Sequence, residues 1–169
     1  MKIALIDDKN FGPASLDGFS RYQSVKNVYR ISDGKLHLVY HPFTEDWTPE
    51  RKREKAKEAL SGRYIAYGAF EDGAVVGLIM LRPGLNMGRM MIDSFHVSTE
   101  HRRRGIGRAL FEAARKEAAG RGANALYASA CSAQETVDFY MAMGFAVSKA
   151  PIPSCVAEEP WDIQMECGF

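Results

Sequence analysis

Residues 98–111 read STEHRRRGIGRALF: three consecutive arginines run into Gly-Ile-Gly and then into a helix-like apolar pattern. The residues just before, RMMIDSFHV (89–97), are apolar on both alternating faces, as a strand buried in the middle of a sheet should be. Ile106, Ala109, Leu110, Ala113 and Ala114 follow at helical spacing and predict a helix ending near Gly120 and Gly122. A strand, a short loop and a glycine-led helix N-terminus can grip a nucleic acid, hold the phosphates of a cofactor, or only cap a helix with solvated charge. Helix N-termini leave backbone amides unpaired and carry partial positive charge. Glycine lets a ligand approach that backbone and permits left-handed conformations that turn successive amides toward one anion. With Arg102, Arg103, Arg104 and Arg108 around it, the turn suits a diphosphate. A Rossmann fingerprint would need a third glycine where Leu110 stands, and a P-loop would need Gly-Lys-Ser/Thr; neither is present.

Outward from this stretch, the chain reads as one mixed α/β domain. QSVKNVYRI and KLHLVYH flank Ser-Asp-Gly, and RYIAYGAF and AVVGLIML flank Glu-Asp-Gly, so both pairs predict hairpins. Thr48-Pro49 opens a helix whose charged body rests on Ala56, Ala59 and Leu60. ALYASA (125–130) is a strand, Ser132 and Glu135 form a capping box for the next helix, Gly144 stops it, and WDIQMECGF alternates as a last strand. Residues 1–22 carry turn signals, with Phe19, Tyr22 and Val25 spaced to line one helical face.

Composition narrows the function. The 169 residues are 46% apolar, enough for a core without disulfides or structural metal. The 22 lysines and arginines against 21 acidic residues give a charge of +1, which disfavours a dedicated nucleic-acid binder. Cys131, Cys155 and Cys167 form no Cys-x-x-Cys pair, and His37, His41, His96 and His101 complete no zinc pattern, so no metal and reduced thiols are expected. The MKIALIDDKN start breaks at Asp7 and Asp8 and is neither signal peptide nor span; a soluble, cytoplasmic protein that binds no membrane is expected.

Arg102-Arg103-Arg104-Gly105-Ile106-Gly107 matches an Arg/Gln-x-x-Gly-x-Gly/Ala signature after a Phe95-His96-Val97 strand. About thirty residues on, Phe139-Tyr140-Met141-Ala142-Met143-Gly144-Phe145 matches Phe-Tyr-x-x-x-Gly-Phe. Together they resemble the GNAT superfamily of N-acetyltransferases, across residues 63–149; residues 1–60, on the acceptor side, diverge. The resemblance implies a single domain with a mixed, mostly antiparallel central sheet flanked by helices, and acetyl-coenzyme A as co-substrate. It implies that the amides of residues 103–108 cradle the pyrophosphate and that the backbone of Phe95–Val97 pairs with the pantetheine arm, in a gap splayed open beside ALYASA. Where such proteins often carry an asparagine that contacts the pantetheine, this chain has Ala133, and Ser132 or Thr136 would have to substitute.

Acetyl transfer to an amine needs a neutral amine, a stabilised oxyanion and a proton for the leaving thiolate. By the resemblance, Tyr140 is the general acid and a backbone amide near Val97 the oxyanion donor. For the base, Asp93 is a carboxylate inside an otherwise apolar strand, where burial should raise its pKa. By strand alternation His96 should project from the opposite face unless the strand bulges. Tyr22, Tyr29, Tyr40, Phe43 and Trp47 lie where acceptors are usually selected, and Glu45 or Asp46 is placed to attract an ammonium. Cys131 ends a strand and reads as core, so direct transfer in a ternary complex is expected. The acceptor is left open between a small-molecule and a peptide amine, the oligomeric state open to a homodimer, and a non-catalytic acyl-coenzyme-A-binding module is the alternative function.

Overall fold

Two-residue turns close three strand pairs, two of them in the meander at the centre of the molecule. The computed structural model describes residues 1–169. Strands β2 (Gln23–Ser32) and β3 (Lys35–Glu45) turn at Asp33-Gly34, β4 (Ile65–Glu71) and β5 (Ala74–Asn86) at Asp72-Gly73, and β5 and β6 (Arg89–Val97) at Met87-Gly88. All six turn residues have positive φ, the condition of the turns that match strand twist. The expected hairpins are therefore present, and β5 runs five residues past Leu81, through Pro83, after a register shift between Leu81 and Leu85.

The remaining elements are β1 (Lys2–Leu5), α1 (Pro49–Leu60), α2 (Ile106–Gly120), β7 (Ala125–Ala130), α3 (Gln134–Ala142), β8 (Ala146–Val147), α4 (Pro153–Glu158) and β9 (Ile163–Gly168). Seven strands form one sheet in the order β1-β4-β5-β6-β7-β9-β8, antiparallel except for β6–β7, while β2–β3 stands apart as a separate hairpin. Helices α2 and α3 cover one face, where Ile106, Leu110, Ala114 and Val137 meet Ile79, Leu81, Met90, Ile92 and Leu126. Helix α1 covers the other, with Ala56 and Ala59 against Leu78 and Met80, and α4 joins that face through Cys155 beside Met91 and Tyr127. No helix is long and apolar enough to cross a membrane.

Two expectations fail locally. Phe19, Tyr22 and Val25 share no helix: Phe19 is buried beside Trp47, and Val25 belongs to β2. The capping box at α3 does not form, because Arg30 donates to the Ser132 hydroxyl at 2.8 Å and Ala133 caps the helix without a side-chain bond. At α1, by contrast, the Thr48 hydroxyl accepts from the Arg51 amide at 3.2 Å with Pro49 in the first turn, as expected.

Leu110 of α2 is fully buried in the core, whereas Leu38 is half exposed on the β2–β3 hairpin. Leu110→Ala should cost about 2–5 kcal/mol in urea unfolding, and Leu38→Ala no more than about 0.5 kcal/mol.

Candidate active site

Strand β6 changes character halfway. Opposite β5, Ile92 pairs with Leu81 and Ser94 with Met80, so Asp93 is an extra residue without a partner, a β-bulge. The bulge reverses the alternation. Met90 and Ile92 face α2 and α3 before it, and Phe95 and Val97 face them after it. Asp93, Ser94 and His96 gather on the α1 side: Ser94 accepts from Lys55 of α1, its hydroxyl donates to Asp93, and His96 meets Trp47. The expected opposition of His96 and Asp93 is thus corrected by the bulge.

The parallel pairing of β6 with β7 stops at the same place, with Ile92 opposite Ala128, although β6 continues for five more residues. The Ser98 amide donates to the Val76 carbonyl, toward β5. By antiparallel alternation the amides of Phe95 and Val97 point the other way, onto the edge that β7 leaves. The Val97 carbonyl on that edge accepts from the Arg102 guanidinium at 3.0 Å.

Beyond Val97 a single 3-10 turn (Thr99–His101) leads to α2. Arg103 and Gly105 both have positive φ, +61° and +82°. The first helical bond to the cap runs from the Ala109 amide to the Gly105 carbonyl, so the Ile106, Gly107 and Arg108 amides lie ahead of it without an intrahelical acceptor. A side chain added at Gly105 would meet nothing within 4 Å, but its φ disfavours one; at Gly107 a Cβ would strike the Phe139 ring at 2.9 Å. The arginines divide. Arg102 turns inward to Val97 and to the Arg21 carbonyl, Arg104 pairs with Glu71 at 3.2 Å, and Arg103 and Arg108 are exposed without an ion-pair partner.

Tyr140, on α3, is 7% exposed and lies in a box of Phe95, Phe139 and Phe145, with ring centroids 6.2, 5.8 and 5.0 Å away. Its hydroxyl bonds to no protein group and is not among the fully covered polar atoms. Burial, with the charge of Asp162 second, pushes its pKa well up, so the phenol holds its proton.

A bulged strand that parts from its parallel neighbour, a glycine turn of left-handed residues at its end and a boxed tyrosine beside it form one connected site. Residues 34–145 match the model of the Acetyltransferase (GNAT) family. The chain belongs to that family. No curated protein sequence matches it. Among solved structures, this GNAT acetyltransferase is similar to a nourseothricin acetyltransferase, at 18% identity and TM-score 0.74, over 99% of this chain and 97% of that one. A protein described as a streptothricin acetyltransferase of Bacillus anthracis str. Ames, in complex with acetyl coenzyme A, is 14% identical with TM-score 0.74, over 100% and 99%. An aminoglycoside 6'-N-acetyltransferase complexed with coenzyme A is 20% identical with TM-score 0.54, over 69% and 79%. At these identities the likeness is one of fold.

The other candidates sort by contact. Asp93 does not stand alone in an apolar strand: the Arg82 guanidinium donates to it at 3.0 Å and the Ser94 hydroxyl at 3.3 Å. Behind Ser94, Lys55 is 5% exposed and also pairs with Glu58, so the α1 helix carries a buried cation that its solvated pattern did not predict. Thr136 is half-buried on α3 with no side-chain bond, while Ser132 is engaged by Arg30. Trp47 reaches His96 at 4.7 Å, Tyr29 donates to Asp138, Glu45 pairs with Arg21 at 3.1 Å, and Tyr40, His37 and His41 are exposed. Sequence reasoning missed Asp162, just ahead of β9, and Ser129 on β7. The available signals were the one hydroxyl at the end of ALYASA and the carboxylate opening the last strand.

Burial, then the charges of Arg21, Lys55, Arg102 and Arg51, lower the His96 pKa well below the ordinary imidazole value. The folded state therefore keeps His96 neutral where the unfolded chain begins to protonate. The contribution to stability is complete above about pH 6.5 and is lost as pH falls, by at most about 1.4 kcal/mol per pH unit. Thermal melts of wild type should drop between pH 7 and 5 more steeply than those of His96→Gln.

Proposed function

We propose that this GNAT enzyme transfers the acetyl group of acetyl-coenzyme A directly to a primary amine, in a ternary complex. The observation that carries the reading is the free edge of β6 beside the unpartnered Tyr140 hydroxyl. The Phe95 and Val97 amides on that edge suit an extended amide-bearing arm laid against it like a strand. The left-handed pair Arg103 and Gly105, with the free amides of Ile106, Gly107 and Arg108, suits a pyrophosphate, and exposed Arg103 and Arg108 add charge at its rim. Arg102 serves instead to hold the strand end, and Arg104 is shared with Glu71. Thr136 is the hydroxyl left for the position where Ala133 departs from the family pattern.

In the reaction, the Val97 amide stabilises the negative charge that develops on the thioester oxygen. Tyr140 gives its proton to the thiolate as the carbon–sulfur bond breaks; its high pKa keeps that proton available at neutral pH. Burial pushes the Cys131 thiol up, against a lowering hydrogen bond at the Ala133 backbone and with help from Glu45 and Asp162, which keeps it protonated and supports direct transfer over an acetyl-cysteine. Residues 63–149 would hold the coenzyme and residues 1–60 would shape the acceptor side, where Trp47 meets His96 of β6 and Phe43 packs with Cys131 against Val25, Val28 and Ala133. The nearly balanced charge of the whole chain favours a small amine over a basic protein tail.

Saturating acetyl-coenzyme A should raise the melting temperature. Gly105→Val, which forces a β-branched residue to φ +82°, should weaken that stabilisation more than Arg108→Ala. An absent shift for wild type would refute the reading. Release of free coenzyme A with nourseothricin, an aminoglycoside and 1,4-diaminobutane as acceptors should fall about 100-fold in Tyr140→Phe with acetyl-coenzyme A binding retained. Equal rates in the two proteins would remove Tyr140 from the chemistry.

A further inference from the structure

The amine must lose a proton before it attacks, and two carboxylates stand near the gap. They differ in what surrounds them. Asp93 ends a polar chain in which Glu58 pairs with Lys55, Lys55 donates to Ser94, Ser94 donates to Asp93, and Arg82 closes the far side. Every charge in that chain is compensated, which is how a structural network is built. Asp162 has no cation bonded to it. Its one side-chain partner is the Ser129 hydroxyl at 3.4 Å.

Ser129 is itself oriented from behind. The Ile152 amide donates to the Tyr127 hydroxyl at 2.9 Å, Tyr127 donates to the Gln164 carbonyl oxygen at 2.6 Å, and the Gln164 amide donates to Ser129 at 2.8 Å. With an incoming donor on its oxygen, the Ser129 hydroxyl directs its own proton to Asp162. Ser129 lies one residue past Ala128, the last residue of β7 that pairs with β6, and so at the mouth of the gap. Ala128 and Ala130 pack toward α2 and α3, whereas Tyr127 packs on the opposite face with α4. By alternation Ser129 shares the face of Tyr127, so Asp162 approaches the gap from the side opposite the Tyr140 box. Tyr140 is more than nine-tenths buried with an unpartnered hydroxyl, and after burial the charge of Asp162 is what raises its pKa.

We infer that Asp162, held by Ser129 at the mouth of the β6–β7 gap, takes the proton of the acceptor's ammonium across from Tyr140. The inference rests on the acetyl-transfer reading above. The amine N–H bond breaks with its proton passing to the Asp162 carboxylate, and the freed lone pair forms the carbon–nitrogen bond. The carbon–sulfur bond breaks, the sulfur keeps the electron pair and takes the Tyr140 proton, and the second amine proton returns to the phenolate. Asp162 then releases its proton to solvent, which completes the balance of amide, free coenzyme A and one proton.

The electrostatics agree with the role. Burial first, then the like charges of Glu159 and Glu45, push the Asp162 pKa up to about 6, while the Ser129 hydrogen bond lowers it. The groups facing it are Glu45 from β3 with its partner Arg21, Glu159 after α4, Tyr140 from α3, the Cys131 thiol after β7, and Arg30 of β2, which stacks on neighbouring Trp161 at 5.0 Å. A base of that pKa is ionised at neutral pH yet far stronger than an ordinary surface aspartate.

The test joins spectroscopy to kinetics. A carboxyl carbon titration by NMR on the full chain should show a group with a midpoint near 6 that is absent from Asp162→Asn, and the Tyr140 ring carbon bearing the hydroxyl should shift with the same midpoint. A midpoint near about 4, or a Tyr140 signal indifferent to it, overturns the inference. With whichever amine of the panel is acetylated, the acid limb of kcat/KM should lie near pH 6 in wild type. Asp162→Asn should lose that limb and about 100-fold of kcat/KM at pH 7. Ser129→Ala, which removes the hydrogen bond that lowers the pKa, should move the limb to higher pH. An acid limb that survives in Asp162→Asn and vanishes in Asp93→Asn would give the role to Asp93. Acetyl-coenzyme-A stabilisation of each variant reports folding. Failure of the acetyl-transfer reading shows separately, as no stabilisation and no coenzyme A release by wild type.

Discussion

The site depends on one residue too many in β6. The bulge at Asp93 adds a residue against β5, and parallel pairing with β7 ends at Ile92, the residue just before it. A regular strand would carry its inward alternation to the end and keep its second edge available to β7. With the bulge, Phe95 and Val97 turn to the aromatic side and the polar set of Asp93, Ser94 and His96 turns to α1. Local disruption of the ladder is what a bulge does, and here it separates two strands while leaving one of them in register with β5.

The two sequence motifs are one structure. Gly107 lies so close to the Phe139 ring that a Cβ there would meet it at 2.9 Å and require the ring to shift, which seats the first turn of α2 on α3. Phe139 also packs edge-on to Phe95 at 5.2 Å, so the strand edge, the glycine turn and the helix bearing Tyr140 share a single aromatic contact point. Arg102 completes the arrangement from the opposite direction by tying the end of β6 to the chain before β2.

What was legible in the sequence was what local rules decide. Asp-Gly turns between apolar runs, a threonine before a proline, and a glycine followed by apolar residues at helical spacing each act within a few residues, and each element formed. The facing of His96 relative to Asp93 was not legible because alternation holds only while a strand is regular, and nothing local in RMMIDSFHV announces an unpaired residue or an arginine arriving from β5. The capping box at Ser132 was lost to Arg30, about a hundred residues away in the chain. Lys55 reads as solvent-facing in a charged helix until the strand beneath it is known. Asp162 and Ser129 are 33 residues apart and meet only because β9 pairs with β7, so no spacing rule could have joined them.

The chain of hydroxyls and amides behind Asp162 has a polarity. Ile152 can only donate and Gln164 presents its oxygen to Tyr127 and its nitrogen to Ser129, so each hydrogen in the row has one permitted direction. Reversing the row would leave the Ile152 amide facing a donor with no way to turn. In the role inferred for it, a proton taken up by Asp162 would meet beyond Ser129 the Gln164 amide, which donates and does not relay protons. On the proposed reading, the row is a wall with a fixed sign of hydrogen bonding that would leave proton exchange to the acceptor's side of the gap.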